Sequence, residues 1–261
     1  MVPDGDTSMR LAPLTSLARI AIILLAVATA ASAQPPPEIL ANLHYKAVLI
    51  AGDRSSPAFD HATETMRAML VARQVAPADI QRLSAARMPA FRGEVRSSTL
   101  AHVLSAIEQL HPAPGQGCFV FATSHGGYDE GLVLVPSENF LTPVALDAAL
   151  TAGCGDAPTV VIVSGCFSGG FATPPMARAN RVILTAARQD RPSFGCGAGF
   201  QYTFYDRCLL QAMSEAPTWL AAYATIRSCV ATREQAMHVP PSGPRAWFGE
   251  AVRDMPIPRA P

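Results

Sequence analysis

Apolar and polar positions alternate along this chain in two rhythms, short unbroken apolar runs and longer stretches of helical period. Ala47-Val48-Leu49-Ile50-Ala51-Gly52 is an apolar run closed by glycine and predicts a buried strand. Residues 118–123, 159–164 and 182–185 read the same way, which makes four strands. Between them, residues 61–75 carry Met66, Met69 and Leu70 at helical spacing. Leu100, Val103, Leu104, Ile107 and Leu110 recur at three and four, with Ser97 or Ser98 available as N-cap. Thr142-Pro143 sets a cap residue before a first-turn proline and predicts a helix running to about Leu150. Residues 202–213 and 218–238 are also helical in pattern. Strands that are apolar on both faces and separated by helices predict one α/β domain: a mostly parallel sheet with helices on both faces.

The ends of the chain break this rhythm. Arg10 and Arg19 precede an apolar run over 20–30, followed by Ala31-Ser32-Ala33-Gln34. A basic start, a short apolar centre and a small-x-small site make the pattern of an export signal. The run is shorter than the ~20 residues of a spanning helix. The expectation is therefore a signal over 1–33, cleavage near Ala33, an exported chain (periplasmic or secreted) and no stable membrane anchor afterwards. Gln34-Pro35-Pro36-Pro37 opens a stiff leader over 34–44, and the domain occupies 45–239. The Pro-rich segment 240–261 is expected to wrap the surface.

Composition narrows the partners. The 261 residues contain 20 Lys plus Arg against 20 Asp plus Glu, 49% hydrophobic and 15% charged. Such a chain can bury a core, which excludes wholesale disorder. Zero net charge without a Lys/Arg run excludes nucleic acid as a partner. Function must then reside in a local site.

Two strand ends supply one. Ser124-His125-Gly126-Gly127 follows the strand at 118–123, and Gly165-Cys166-Phe167-Ser168-Gly169-Gly170 follows the strand at 159–164. In a parallel sheet ligands bind at the carboxyl ends of the strands. A thiol beside an imidazole suits nucleophilic catalysis, because the His can take the thiol proton and later protonate the leaving amine. The backbone N–H groups of Gly126 and Cys166 are candidates to bind the developing oxyanion. An α/β-hydrolase elbow does not fit: Ser164 and Ser168 stand where it needs glycines, and His125 precedes the nucleophile. With no Cys-x-x-Cys or His-x-x-x-His pair, no metal or other cofactor is expected. Asp129 and Glu130, just past the His loop, read as solvated turn residues.

At these residues the sequence resembles the legumain-type cysteine peptidases, family C13, in the clan with the caspase–hemoglobinase fold. The likeness rests on an apolar strand ending in His125-Gly126 and a second ending in Gly165-Cys166. It extends to Val48-Leu49-Ile50-Ala51-Gly52 followed by His61, and to Thr185-Ala186-Ala187 with Arg191, Ser193, Phe194 and Cys196. It spans roughly residues 45–215. The resemblance implies a three-layer sandwich and a cysteine endopeptidase acting on peptides or proteins, with Cys166 as nucleophile and His125 as general acid/base. The chain departs from the family at the substrate pocket. Ser164 stands where legumains have an acidic residue two before the nucleophile, and Ala58 and Asp60 stand where they have Asn and Arg. Legumain's preference for Asn is therefore not carried over. Asp60, His61, Ser164 and Ser193 are the candidates for the pocket wall, and an Asp60 facing the pocket would favour a basic or polar P1 residue.

Two other readings use the same residues: a transpeptidase or ligase, in which an amine resolves the acyl-enzyme, and an inactive peptidase-like binding or scaffold protein. Retention of both Cys166 and His125 counts against the second. Of the remaining cysteines, Cys118 begins a core strand and reads as a buried free thiol. Cys154, Cys196, Cys208 and Cys229 read as two disulfides, in any of three pairings.

Overall fold

The computed structural model describes residues 43–86 and 95–258, together with Met1 and Leu40. The elements all belong to the unit Ala33–Pro261. The expected export signal, and the leader apart from Leu40, Leu43 and His44, lie outside the described residues. In chain order the elements begin with β1 (His44–Ala51), α1 (Pro57–Ala72), β2 (Ile80–Ser84), β3 (Val95–Ser97) and α2 (Leu100–Glu108). Then come β4 (Gln116–Thr123), β5 (Gly126–Gly127), β6 (Gly131–Leu134), β7 (Asn139–Leu141) and α3 (Pro143–Cys154). The chain continues through β8 (Thr159–Ser164), β9 (Arg181–Thr185), α4 (Phe204–Glu215), α5 (Trp219–Ala236) and β10 (Arg245–Phe248).

Among the described residues, seven strands form one sheet in the order β10-β9-β8-β4-β1-β2-β3, parallel except for the antiparallel β10. The four expected strands are its centre, and they are apolar on both faces because both faces are covered. Tyr45, Ala47 and Leu49 of β1, with Phe119 and Phe121 of β4, pack under α1, α4 and α5. Their neighbours Val48, Ile50, Val120 and Ala122 pack under α2 and α3. This is the three-layer α/β sandwich expected from the pattern.

Local chemistry sets the helix starts. Ser56 caps α1 and Thr142 caps α3, each ahead of a first-turn proline. Thr99, rather than Ser97 or Ser98, caps α2, because the buried Ser98 hydroxyl is given to the Ala51 carbonyl at 2.9 Å. Of the strands absent from the expectation, β2, β3 and β10 are edges or near-edges of this sheet, and β5, β6 and β7 form a separate antiparallel sheet. β2 carries Gln81 and Arg82, and the buried Arg82 hydrogen-bonds Glu64 and Thr63 of α1. β10 comes from the segment expected only to wrap the surface. An edge strand covers little apolar area and so carries no apolar run.

The cysteine reading needs correction. Cys118 is not a free thiol: it is joined to Cys154, and Cys208 is joined to Cys229. Cys118 begins the β4 core face that lies against α3, whose last residue is Cys154, with Cα atoms 6.2 Å apart. Cys196 is left free, as is Cys166.

Candidate active site

The site is built by strand register. In the parallel pair β4·β8, Thr123 lies opposite Ser164, and the Ser124 amide continues the ladder to the Ser164 carbonyl at 3.0 Å. His125 and Cys166 each follow two residues after this matched pair, on strands that run about 4.8 Å apart. Just beyond, the two loops touch backbone to backbone. A Cβ at position 126 would overlap the carbonyl oxygen of Cys166, so only glycine can follow His125 here. The antiparallel β5–β7 sheet braces the His loop, with the Ser124 hydroxyl given to the Val133 carbonyl at 2.7 Å.

The Cys166 sulfur is held from the segment after β9. The Ser193 N–H donates to Sγ at 3.3 Å, and the thiol points back to the Ser193 carbonyl at 3.5 Å. Phe167, in the left-handed region at φ 57°, gives its amide to the Arg191 carbonyl at 2.8 Å. The Cys166 amide, by contrast, donates to no backbone carbonyl among the described residues. The imidazole is oriented from three directions. Its Nε2 lies 3.2 Å from Ser55 Oγ, its Nδ1 lies 4.0 Å from Cys196 Sγ, and Phe59 meets its edge with ring centroids 5.3 Å apart. Burial pushes the Cys196 thiol up, reinforced by the electrostatic influence of its neighbours Cys166 and Asp53.

Beneath both tips lies Asp206, in the first turn of α4 and 0% exposed. Its Oδ2 accepts from the Thr123 hydroxyl at 2.8 Å, and its side chain also interacts with Ser164. One carboxyl therefore touches the residues two before His125 and two before Cys166. Burial raises its pKa, and the hydroxyls of Ser164, Thr123 and Thr203 offset only part of that rise.

A family model for the peptidase C13 family matches residues 97–249, which hold both His125 and Cys166. The chain belongs to the peptidase C13 family. No curated protein matches it. Among solved structures, caspase-1 from Spodoptera frugiperda is similar with a TM-score of 0.55 at 12% identity, over 79% of this chain and 87% of that one. At that identity the likeness speaks for the fold alone, and the sandwich is caspase-like. The chain thus has the fold of a cysteine peptidase.

Of the expected site residues of this C13 chain, the structure brings His125, Gly126, Cys166 and Ser193 together, with Ser164 buried directly below. Asp60 is turned toward β2, and His61 follows it on α1. The Asp60 carboxyl interacts with Ser84 and Arg82, on β2, three strands along the sheet from β8. Burial raises its pKa, partly opposed by those partners. The matched residues do not include the β1–α1 segment, where the chain departs most from legumains. The sequence reading missed Ser55, Phe59 and Asp206, and assigned Cys196 to a disulfide. Ser55 and Phe59 had a signal in lying just past the carboxyl end of β1. Asp206 had none, since its partner Thr123 is 83 residues away.

Proposed function

We propose that this chain is a cysteine endopeptidase with Cys166 as nucleophile and His125 as general acid/base. His125 takes the Cys166 proton, and the thiolate attacks the scissile carbonyl carbon. The carbonyl oxygen becomes an oxyanion between the amides of Gly126 and Cys166. Collapse breaks the C–N bond, and the imidazolium gives its proton to the leaving amine. Water, deprotonated by His125, then releases the acid from the thioester. The observation that carries this reading is the packing of Gly126 on the backbone of Cys166, which makes the two tips one site. Ser193 N–H, aimed at the sulfur, supports it.

The test is a peptide library varied at P1, incubated with the protein and with Cys166→Ala and His125→Ala. Cleavage that both substitutions abolish is expected, with free acids rather than transfer products. Equal turnover by Cys166→Ala would sink the assignment.

Export, to the periplasm or the medium, is part of the proposal. Two disulfides in one domain support an oxidising compartment. Terminal sequencing of the mature protein should begin at Gln34; a chain recovered intact from the cytoplasm would contradict it.

A further inference from the structure

Beside the dyad lies a cavity that the catalytic residues leave unused. Its volume is about 130 Å³, and its lining includes Gly127, Asp129, Glu130, Phe167, Phe171 and Pro143. At about 30 Å³ per liquid water molecule it has room for one side chain and no more. It adjoins the reaction centre on both strands, since Phe167 follows Cys166 directly and Gly127 lies two residues after His125. One peptide residue spans about 3.5 Å, so a side chain entering here belongs to a residue close to the scissile bond.

The walls are of two kinds. Phe171 is buried, and Phe167 is held edge-on by the ring of Tyr128, with centroids 5.6 Å apart. Tyr128 itself, and Val144 next to the lining residue Pro143, are both well exposed. The turn between β5 and β6 also lines the cavity, through Asp129 and Glu130. The Glu130 carboxylate folds back over Gly127, where a Cβ would strike its Oε2. Neither carboxylate makes an ion pair or side-chain hydrogen bond among the described residues. An apolar slot rimmed by two unneutralised carboxylates matches a long aliphatic stem with a cationic head. A neutral apolar side chain would leave the carboxylates unpaired, and an acidic one would be repelled.

We propose that this cavity binds a lysine or arginine side chain of the peptide substrate, its stem against Phe167 and Phe171 and its cation between Asp129 and Glu130. The proposal rests on the peptidase reading, and names a residue class the enzyme selects next to the cleaved bond.

The test pairs peptides that differ only by Lys or Met at each position within two residues of the cleaved bond. At one fixed position, the Lys peptide should have a kcat/KM about fivefold higher at low salt, the size of a partly exposed ion pair. The advantage should shrink as salt screens it. In Asp129→Asn/Glu130→Gln the ratio should collapse toward one, and Glu130→Lys should turn the preference toward a Glu peptide. Cleavage that depends on Cys166 but ignores Lys against Met, or a preference that survives the double substitution, overturns the cavity's role while leaving the peptidase standing. Binding of the same peptides to Cys166→Ala, read by fluorescence anisotropy, decides the cavity without turnover. A Lys advantage there, lost in the double variant, supports it, and equal binding overturns it.

Discussion

Helices α3 and α4 carry the same two devices, a buried aspartate and a disulfide, and use them for different ends. In α3, Asp147 is gripped by two arginines. Arg178 approaches it through Nε at 2.9 Å and Nη2 at 2.7 Å, and the buried Arg181 through Nη1 at 2.6 Å. Burial pushes the Asp147 pKa up, but the hydrogen bonds and charges of the two arginines outweigh it and hold it below the usual carboxylate range. In α4, Asp206 is more deeply buried and meets only hydroxyls, and its pKa is raised. The first is a charged clamp at the opposite end of the strands, where Arg181 pairs with Thr159 at the start of β8. The second sits under the two strand tips that carry His125 and Cys166. Hydroxyl partners hold the two strand ends together without placing a cation below them.

If α3 is clamped for stability, Asp147→Ala should have the largest effect. It strands the buried Arg181 guanidinium, and losing one partner of a buried pair costs about 3–5 kcal/mol. Urea unfolding should show this loss while kcat per folded molecule stays close to wild type. A collapse of kcat in a variant that remains folded would break the distinction between the two helices.

The disulfides come next. Cys118–Cys154 and Cys208–Cys229 close loops with separations of 36 and 21 residues. Each should contribute about 2–4 kcal/mol by restricting the unfolded chain. Paired Cys→Ala substitutions at either bridge should lower the urea midpoint with little change in kcat. Mass mapping under non-reducing conditions should find Cys166 and Cys196 alkylatable and the other four protected. A Cys196 peptide linked to any of those four would overturn the pairing.

Much of this was legible in the sequence, and the boundary has a physical cause. The four central strands are apolar on both faces, so each announces itself within five to eight residues. His125 and Cys166 stand out because each interrupts such a run at its carboxyl end. β2, by contrast, buries an arginine by pairing it with α1, and no local pattern encodes a partner 18 residues away. Asp206 read only as one polar residue of a helix, since what makes it notable is a hydrogen bond to Thr123 across the fold. The cysteines failed for the same reason: Cys118 looks like core from its strand and is core, but as half of a bridge to the end of α3.

The role of Asp206 is separated from plain support by a smaller, kinetic effect. Asp206→Ala removes the acceptor that ties Thr123 to the Ser164 side, so the thiol and imidazole lose their fixed spacing. A displacement of about 1 Å costs up to about 100-fold in rate. The expected fall is about 10- to 100-fold in kcat with KM little changed, and Asp206→Asn, which can still accept from the Thr123 hydroxyl, should restore most of it. Loss of stability with kcat intact would make Asp206 merely structural.

The subtlest difference between the two helices lies in how their stability responds to pH. For Asp147 the folded pKa is depressed, so the native state binds its proton less tightly than the unfolded chain. Its contribution is present above the unfolded value near 3.9 and is lost as pH falls through the folded pKa. For Asp206 the folded pKa is raised, and the sign reverses. The native state holds the proton more tightly, so stability is greatest below about 3.9 and declines as pH rises toward the folded value, then levels. Asp206→Asn cannot ionise and escapes that decline. Urea unfolding from pH 3 to 8 should therefore show Asp206→Asn gaining on wild type as pH rises above about 4. Asp147→Asn should run the other way, falling behind wild type as pH rises to about 4 and trailing by a fixed margin beyond. Two curves parallel to wild type would mean that neither carboxyl changes its proton affinity on folding, and the contrast between a clamped charge and a hydroxyl-held acid would fail with them.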